Sequence, residues 1–277
     1  MKNKYVFYFL LIYLLFSPAA VFAQEGNVSE VLFQEIANGK TLDIFPFLPA
    51  VQLPLGISVH FFMLLISAGL ILALFFYGKR NISLKPRGLL VVLENMITFV
   101  QDDIVFPIMG EDKGAKWLPF FCTLFFFLLT INLLGLIPCF KTATGNINVT
   151  SALAAMILIL VFAVGIKNLG IRKFFVNLYP QGTVLPIGIF VAFLEFTGMF
   201  LKTAVLSLRL FANMFAGHLA IFSFLMLIFI LSPFAGIFAV PFTIFTYLLE
   251  VLVSLIQAFV FTLLSCIFIT MASSVHE

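Results

Sequence analysis

The chain has 277 residues, 63% of them hydrophobic and 10% charged, with a formal net charge of +3 and a mean hydropathy of +1.20. A soluble globular domain carries about 25% charged residues, so that class is excluded. The small net charge, with its basic residues in loops, excludes nucleic acid as a partner.

Lys2 and Lys4 precede the apolar run Tyr5 to Phe16, and Ser17-Pro18-Ala19-Ala20-Val21-Phe22-Ala23 closes it in small residues. That layout predicts a cleavable signal peptide over 1–23, cut after Ala23. The alternative is a retained anchor helix, for which the apolar core is short. Segment 24–54 is the one sizeable polar region, with Glu25, Glu30, Glu35, Lys40 and Asp43, and is expected outside the cytoplasm. Its Gly39-Lys40-Thr41 matches the tail of a phosphate-binding loop, but Gln34 stands where that loop needs glycine, so no nucleotide binding is expected.

A membrane domain is expected over 55–273. Its first span covers about 56–77 and is followed by Lys79, Arg80, Lys85 and Arg87, a basic loop that belongs in the cytoplasm. Leu90, Leu93, Ile97, Val100 and Ile104 then recur at helical spacing, with Glu94, Gln101 and Asp102 off the stripe. This predicts an amphipathic helix over 88–107, lying at the membrane surface or against other spans. Spans follow at 117–137 and 149–166, the second ending at the basic group Lys167, Arg172 and Lys173. Two longer apolar segments, 186–231 and 237–272, complete the chain. At 1.5 Å per residue the first would be about 69 Å long, more than twice the ~30 Å hydrocarbon core. It must break into two spans or lie at roughly 60–65° to the membrane normal, against the usual ~20°. A transmembrane β-barrel would show alternating segments of about 10 residues, and these are absent. The fold class is therefore an all-α polytopic membrane protein with about five membrane helices and one amphipathic surface helix. Cys122, Cys139 and Cys266 lack metal-ligand spacing, so neither metal nor cofactor is expected.

Between Lys173 and Glu277 the acidic and basic residues are Glu195, Lys202, Arg209 and Glu250. A guanidinium stays protonated, so Arg209 cannot escape its burial cost by becoming neutral. That cost at a bilayer centre runs from roughly 2.5 kcal/mol to above 10, which marks such a residue as functional. Glu195, Lys202 and Arg209 stand seven apart, which keeps them on one helix face, and Asn213 lies one turn beyond. In the last segment Glu250 and Gln257 are also seven apart, with Ser254 between them. The plainer alternative is that these stripes only hold helices together.

Lys202 to Leu219, KTAVLSLRLFANMFAGHL, resembles the arginine helix of subunit a of the F-type ATP synthase. Ile256-Gln257-Ala258-Phe259-Val260-Phe261 and Met271-Ala272-Ser273 are similar to that family's last helix. Asn132-Leu133-Leu134-Gly135-Leu136-Ile137-Pro138 and Asn148-Val149-Thr150 sit where the family has similar elements. The resemblance covers about Gly56 to Ser273 and is weak over Gln24 to Leu53.

The resemblance implies that the last two helices are steeply tilted and form a hairpin facing a rotor ring of small hairpin proteolipid subunits. It implies two offset half-channels that pass protons to and from the rotor carboxylates. Arg209 would face those carboxylates, and Glu195, Lys202, Asn213 and Gln257 would line the path. The family often has Glu where this chain has His218, and His where this chain has Glu250. An acid and an imidazole have thus exchanged places, and if they face each other the pair survives the exchange. Further partners implied are peripheral-stalk subunit b, the rest of the complex and membrane lipid. The implied location is the bacterial plasma (inner) membrane, with the N-terminus outside and the C-terminus cytoplasmic. The subunit would be non-catalytic on its own, and the rotor site would choose between proton and Na⁺. The main rival class is a secondary transporter, but such folds usually carry internal repeats, and no repeat is evident here. The other rival, a structural assembly factor, needs no buried arginine.

Overall fold

The computed structural model describes residues 41–42, 51–52, 58–80, 88–137, 142–179, 185–230 and 236–273. The expected signal peptide, most of segment 24–54, Lys85, Arg87 and Cys139 lie outside the described residues. Within 24–54, β1 (Thr41–Leu42) pairs antiparallel with β2 (Val51–Gln52), a two-residue ladder that the sequence does not signal.

All other regular structure among the described residues is helical. In hydrocarbon a backbone must satisfy its own N–H and C=O groups, and long apolar runs do so as helices. The first, α1 (Val59–Arg80), ends in Lys79 and Arg80, cations placed at the negative end of its dipole. The next, α2 (Leu89–Phe99), continues through a π-helical turn, Val100–Val105, into the short α3 (Phe106–Met109). Val100, Ile104 and Val105 are fully buried while Glu94 and Asp102 are exposed, as an amphipathic helix requires. Gly110, at φ 75, lets the chain turn directly from α3 into α4 (Glu111–Gly135). Helix α5 (Ile147–Leu169) is capped by Asn146, whose Oδ1 accepts the N–H of Asn148 at 2.9 Å. A short α6 (Ile171–Asn177) precedes α7 (Leu185–Ile230) and α8 (Gly236–Ser273), of 46 and 38 residues.

Five helices, α1, α4, α5, α7 and α8, are long and apolar enough to cross a membrane. Helix α7 is continuous, so of the two arrangements its length allows, a break into two spans does not occur. Large apolar side chains such as Phe76, Ile159, Phe193 and Phe238 are more than half exposed. Surfaces of this kind would drive association in water and suit a lipid or protein-covered environment. Many hydroxyls are satisfied inside their own helix: Ser67, Thr203, Ser223, Thr243, Thr262 and Ser265 each donate to the carbonyl four residues earlier, at 2.7–2.9 Å.

The chain forms two compact units. Of the described residues, one comprises those within 41–72, 129–137, 142–149, 211–230 and 236–256; the other comprises those within 73–80, 88–128, 150–179, 185–210 and 257–273. In the first, Gly135 brings the end of α4 close to its neighbours. A Cβ there would come within 2.8 Å of Thr142 Cγ2 and 3.0 Å of Met214 Cε. In the second, the Phe162 ring packs against Phe174, Phe196 and Phe200, with centroids 5.9, 6.4 and 6.0 Å away.

Candidate functional site

In the first unit, α7 contributes Asn213 and His218, and α8 contributes Glu250 and Ser254. Glu250 is 5% exposed, and neither of its carboxyl oxygens has a hydrogen-bond partner among the described residues. The carboxyl group lies against Gly217, where any Cβ would overlap it. The Nε2 of His218 is 2.6 Å from Thr142 Oγ1, and that hydroxyl also reaches the carbonyl of Gly135 at 3.3 Å. Glu250 therefore packs against the residue that precedes His218, and no hydrogen bond joins it to the histidine. Asn132 Oδ1 and Thr144 Oγ1 are likewise buried without a hydrogen-bond partner among the described residues. Unsatisfied buried polar atoms are costly and are the positions that internal water or a moving proton would serve. Asn213 is half-buried.

In the second unit, α7 presents a buried stripe of Thr203, Leu206, Ser207 and Leu210. Ser207 Oγ lies 3.2 Å from both Thr150 Oγ1 and Ser151 Oγ of α5, which fixes the rotation of α7 about its axis. Arg209, two residues on, is turned about 200° from Ser207 and so points away from α5. It is half-buried, and no hydrogen bond or ion pair joins it to another described residue. Glu195 and Lys202 line one cavity with Met199, Thr203, Phe268 and Met271. Its volume of about 50 Å³ has room for roughly three waters at the ~15 Å³ each needs. The Lys202 Nζ sits 5.8 Å from the centroid of the Phe268 ring, within cation–π range. Gln257 is buried on α8, one heptad after Glu250.

The family model described as ATP synthase A chain matches residues 61–270, a stretch that contains all seven candidate residues. The ATP synthase subunit a of Myxococcus xanthus (strain DK1622) is 39% identical over 225 residues, covering 79% of this chain and 74% of that protein. Those of Chloroherpeton thalassium (strain ATCC 35110 / GB-78) and Chlorobium phaeobacteroides (strain BS1) are each 37% identical, over 255 and 267 residues. They cover 87% and 91% of this chain, and 76% and 78% of the relatives. The chain belongs to the ATP synthase subunit a family. It is accordingly a multi-pass membrane protein of the membrane sector.

For a subunit a, the candidate residues divide cleanly. Asn213, His218 and Glu250 fall in one compact unit, and Glu195, Lys202, Arg209 and Gln257 in the other. Among the described residues no three His, Cys, Asp or Glu side chains converge on a metal position. Sequence reasoning missed Thr142 and Gly217, which touch His218 and Glu250 respectively. It also missed Thr243, buried seven positions before Glu250, which the heptad spacing could have revealed.

Proposed function

We propose that this chain is the ion-translocating stator subunit a of an ATP synthase, non-catalytic by itself, which couples a proton gradient to rotation of a proteolipid ring. The observation that carries this reading is Arg209, a permanent cation half-buried on an apolar helix, with no anionic partner among the described residues. Such a charge calls for a carboxylate from outside the chain, and a rotor subunit presents one at every step.

Two half-channels serve the rotor. The outer one runs through the unit holding Asn213, His218 and Glu250, where titratable and unsatisfied polar groups can hand a proton along through intervening water. The inner one runs through the water-sized cavity lined by Glu195 and Lys202. Arg209 separates them. Its positive charge draws each deprotonated rotor carboxylate and favours proton loss there, and because it does not titrate it cannot relay protons across. A proton entering from outside is thus forced onto the ring and travels with it. Each charge crossing gains about 2.3 kcal/mol per 100 mV. Helices α7 and α8 lie steeply inclined along the ring, which accommodates a 46-residue helix in a membrane about 30 Å thick. In this reading the N-terminal signal is removed, and the basic loops, which favour the cytoplasmic side, support an outer mature N-terminus and a cytoplasmic C-terminus.

The test is ATP synthesis in proteoliposomes carrying the complex purified through this chain. Copurification of a proteolipid ring, subunit b and a catalytic head, with synthesis driven by a proton gradient in Na⁺-free buffer, is the expected result. A chain that purifies alone and exchanges ions without the ring is a transporter instead.

A further inference from the structure

We infer that Thr142 is a positioning residue for proton transfer, its hydroxyl holding the imidazole of His218 in the orientation from which protons pass toward Glu250. This rests on the proposed translocation role of His218. The contact is 2.6 Å between Thr142 Oγ1 and His218 Nε2, joining residues 76 positions apart in sequence. It is short even for a hydrogen bond to nitrogen.

Three observations separate it from an incidental contact. First, most hydroxyls on the spans are spent on their own helix, whereas Thr142 stands outside any helix and its hydroxyl reaches across to a titratable ring. Second, the residue is built in: Thr142 is 6% exposed, and its carbonyl accepts the N–H of Gly145 at 3.3 Å, closing a turn. Its methyl group occupies the space left by the absent side chain of Gly135. Third, its hydroxyl also reaches the Gly135 carbonyl at 3.3 Å. A threonine hydroxyl has one proton and two acceptor lone pairs, so it can donate to Nε2 or accept from it. When Nε2 carries a proton, Thr142 accepts from it and donates to Gly135. When Nε2 is bare, Thr142 turns its own proton toward the ring. The hydroxyl therefore keeps the ring in place through a cycle of gain and loss, which a one-way donor or acceptor could not do.

The assembled complex in inverted vesicles tests this, through ATP-driven acidification and passive proton flux after removal of the catalytic head, both normalised to complex content. Thr142→Val keeps the shape and loses the hydroxyl, and should slow both about 3–10-fold, the rate equivalent of one hydrogen bond. Thr142→Ser should stay within about twofold of the parent. In a His218→Ala background, Thr142→Val should add no further loss. Normal flux in Thr142→Val, equal impairment in Thr142→Ser, or full additivity with His218→Ala would each overturn the inference. If Thr142→Val lowers assembly, Thr142→Cys, similar in size with a weaker hydrogen bond, is read by the same criteria. A His218→Ala complex with unchanged flux would instead sink the role of His218 itself. A slowed His218→Ala beside an unaffected Thr142→Val would sink the role of Thr142 alone.

Discussion

The carboxyl group of Glu250 on α8 rests against the bare Cα of Gly217 on α7. Its two oxygens are buried and have no hydrogen-bond partner among the described residues. The acid thus packs on the residue before His218, in space that is open because that residue has no side chain.

Gly217→Ala should therefore impair proton flux without the loss of any titratable group. The new Cβ overlaps the Glu250 carboxyl, which is buried and must move as a whole. We expect a fall of about tenfold, equivalent to about 1.4 kcal/mol on the barrier. Glu250→Asp, one methylene shorter, should restore part of the flux in the Gly217→Ala background while being harmful alone. Passive flux in stripped vesicles measures this, and a Gly217→Ala complex with normal flux refutes the packing argument.

Exchanging the two residues tests whether they act together. His218→Glu leaves two carboxyl groups near each other, and Glu250→His leaves two imidazoles. Each single change should slow transport at least about tenfold. The double change restores one acid and one base, and the Thr142 hydroxyl can donate to a carboxylate as readily as it served the ring. ATP-driven acidification by the double variant should exceed that of either single variant. Because no hydrogen bond links the two groups, recovery should be partial. An absence of recovery means that they work separately.

Arg209→Lys keeps the formal charge and should still abolish coupled synthesis. A lysine can shed its proton when buried, and it offers a compact ammonium in place of a planar fork. Both differences would weaken the proposed barrier between half-channels. Arg209→Ala should abolish synthesis as well, with the subunit still assembled, because the half-buried guanidinium makes no hydrogen bond or ion pair to another described residue. ATP synthesis in energised vesicles is the measurement, and synthesis at the parent rate in either variant contradicts the gate.

What could be read from the residues alone, and what could not, follows from where periodicity operates. The spans and the polar stripes were legible because a helix repeats every 3.6 residues, so Glu195, Lys202 and Arg209, or Glu250 and Gln257, declare a shared face by spacing. The continuity of α7 was not legible, since its length permits either a break or a tilt and no strong breaker decides. Thr142 lies in a connection with no period, and its partner is 76 residues away, so nothing local marks it. Gly217 has no side-chain chemistry to notice, and its importance appears only when Glu250 is seen in the space a Cβ would occupy. The π-helical turn at Val100–Val105 was hidden for a different reason: a one-residue shift in a stripe barely alters its pattern.

Packing in the second unit gives a stability prediction independent of transport. At Gly165 on α5, an added Cβ would overlap the Phe174 ring and come within 3.1 Å of the Ala272 carbonyl. Phe174 is 2% exposed and is held by Phe162 and Phe175, with centroids 5.9 and 5.5 Å away, so it cannot swing aside. Overpacking of this kind costs about 1–3 kcal/mol, more than the ~1 kcal/mol of helix propensity that alanine regains over glycine. Gly165→Ala should therefore lower the thermal stability of the extracted complex and its amount in the membrane. Gly69→Ala on α1, where nothing lies within 4 Å of the new atom, should leave both unchanged or slightly raised. Because the clash is with a ring and a backbone oxygen, Phe174→Leu should relieve part of the defect in the Gly165→Ala background. Equal stability of the two alanine variants would show that α5, α6 and α8 are not packed as closely as these contacts require.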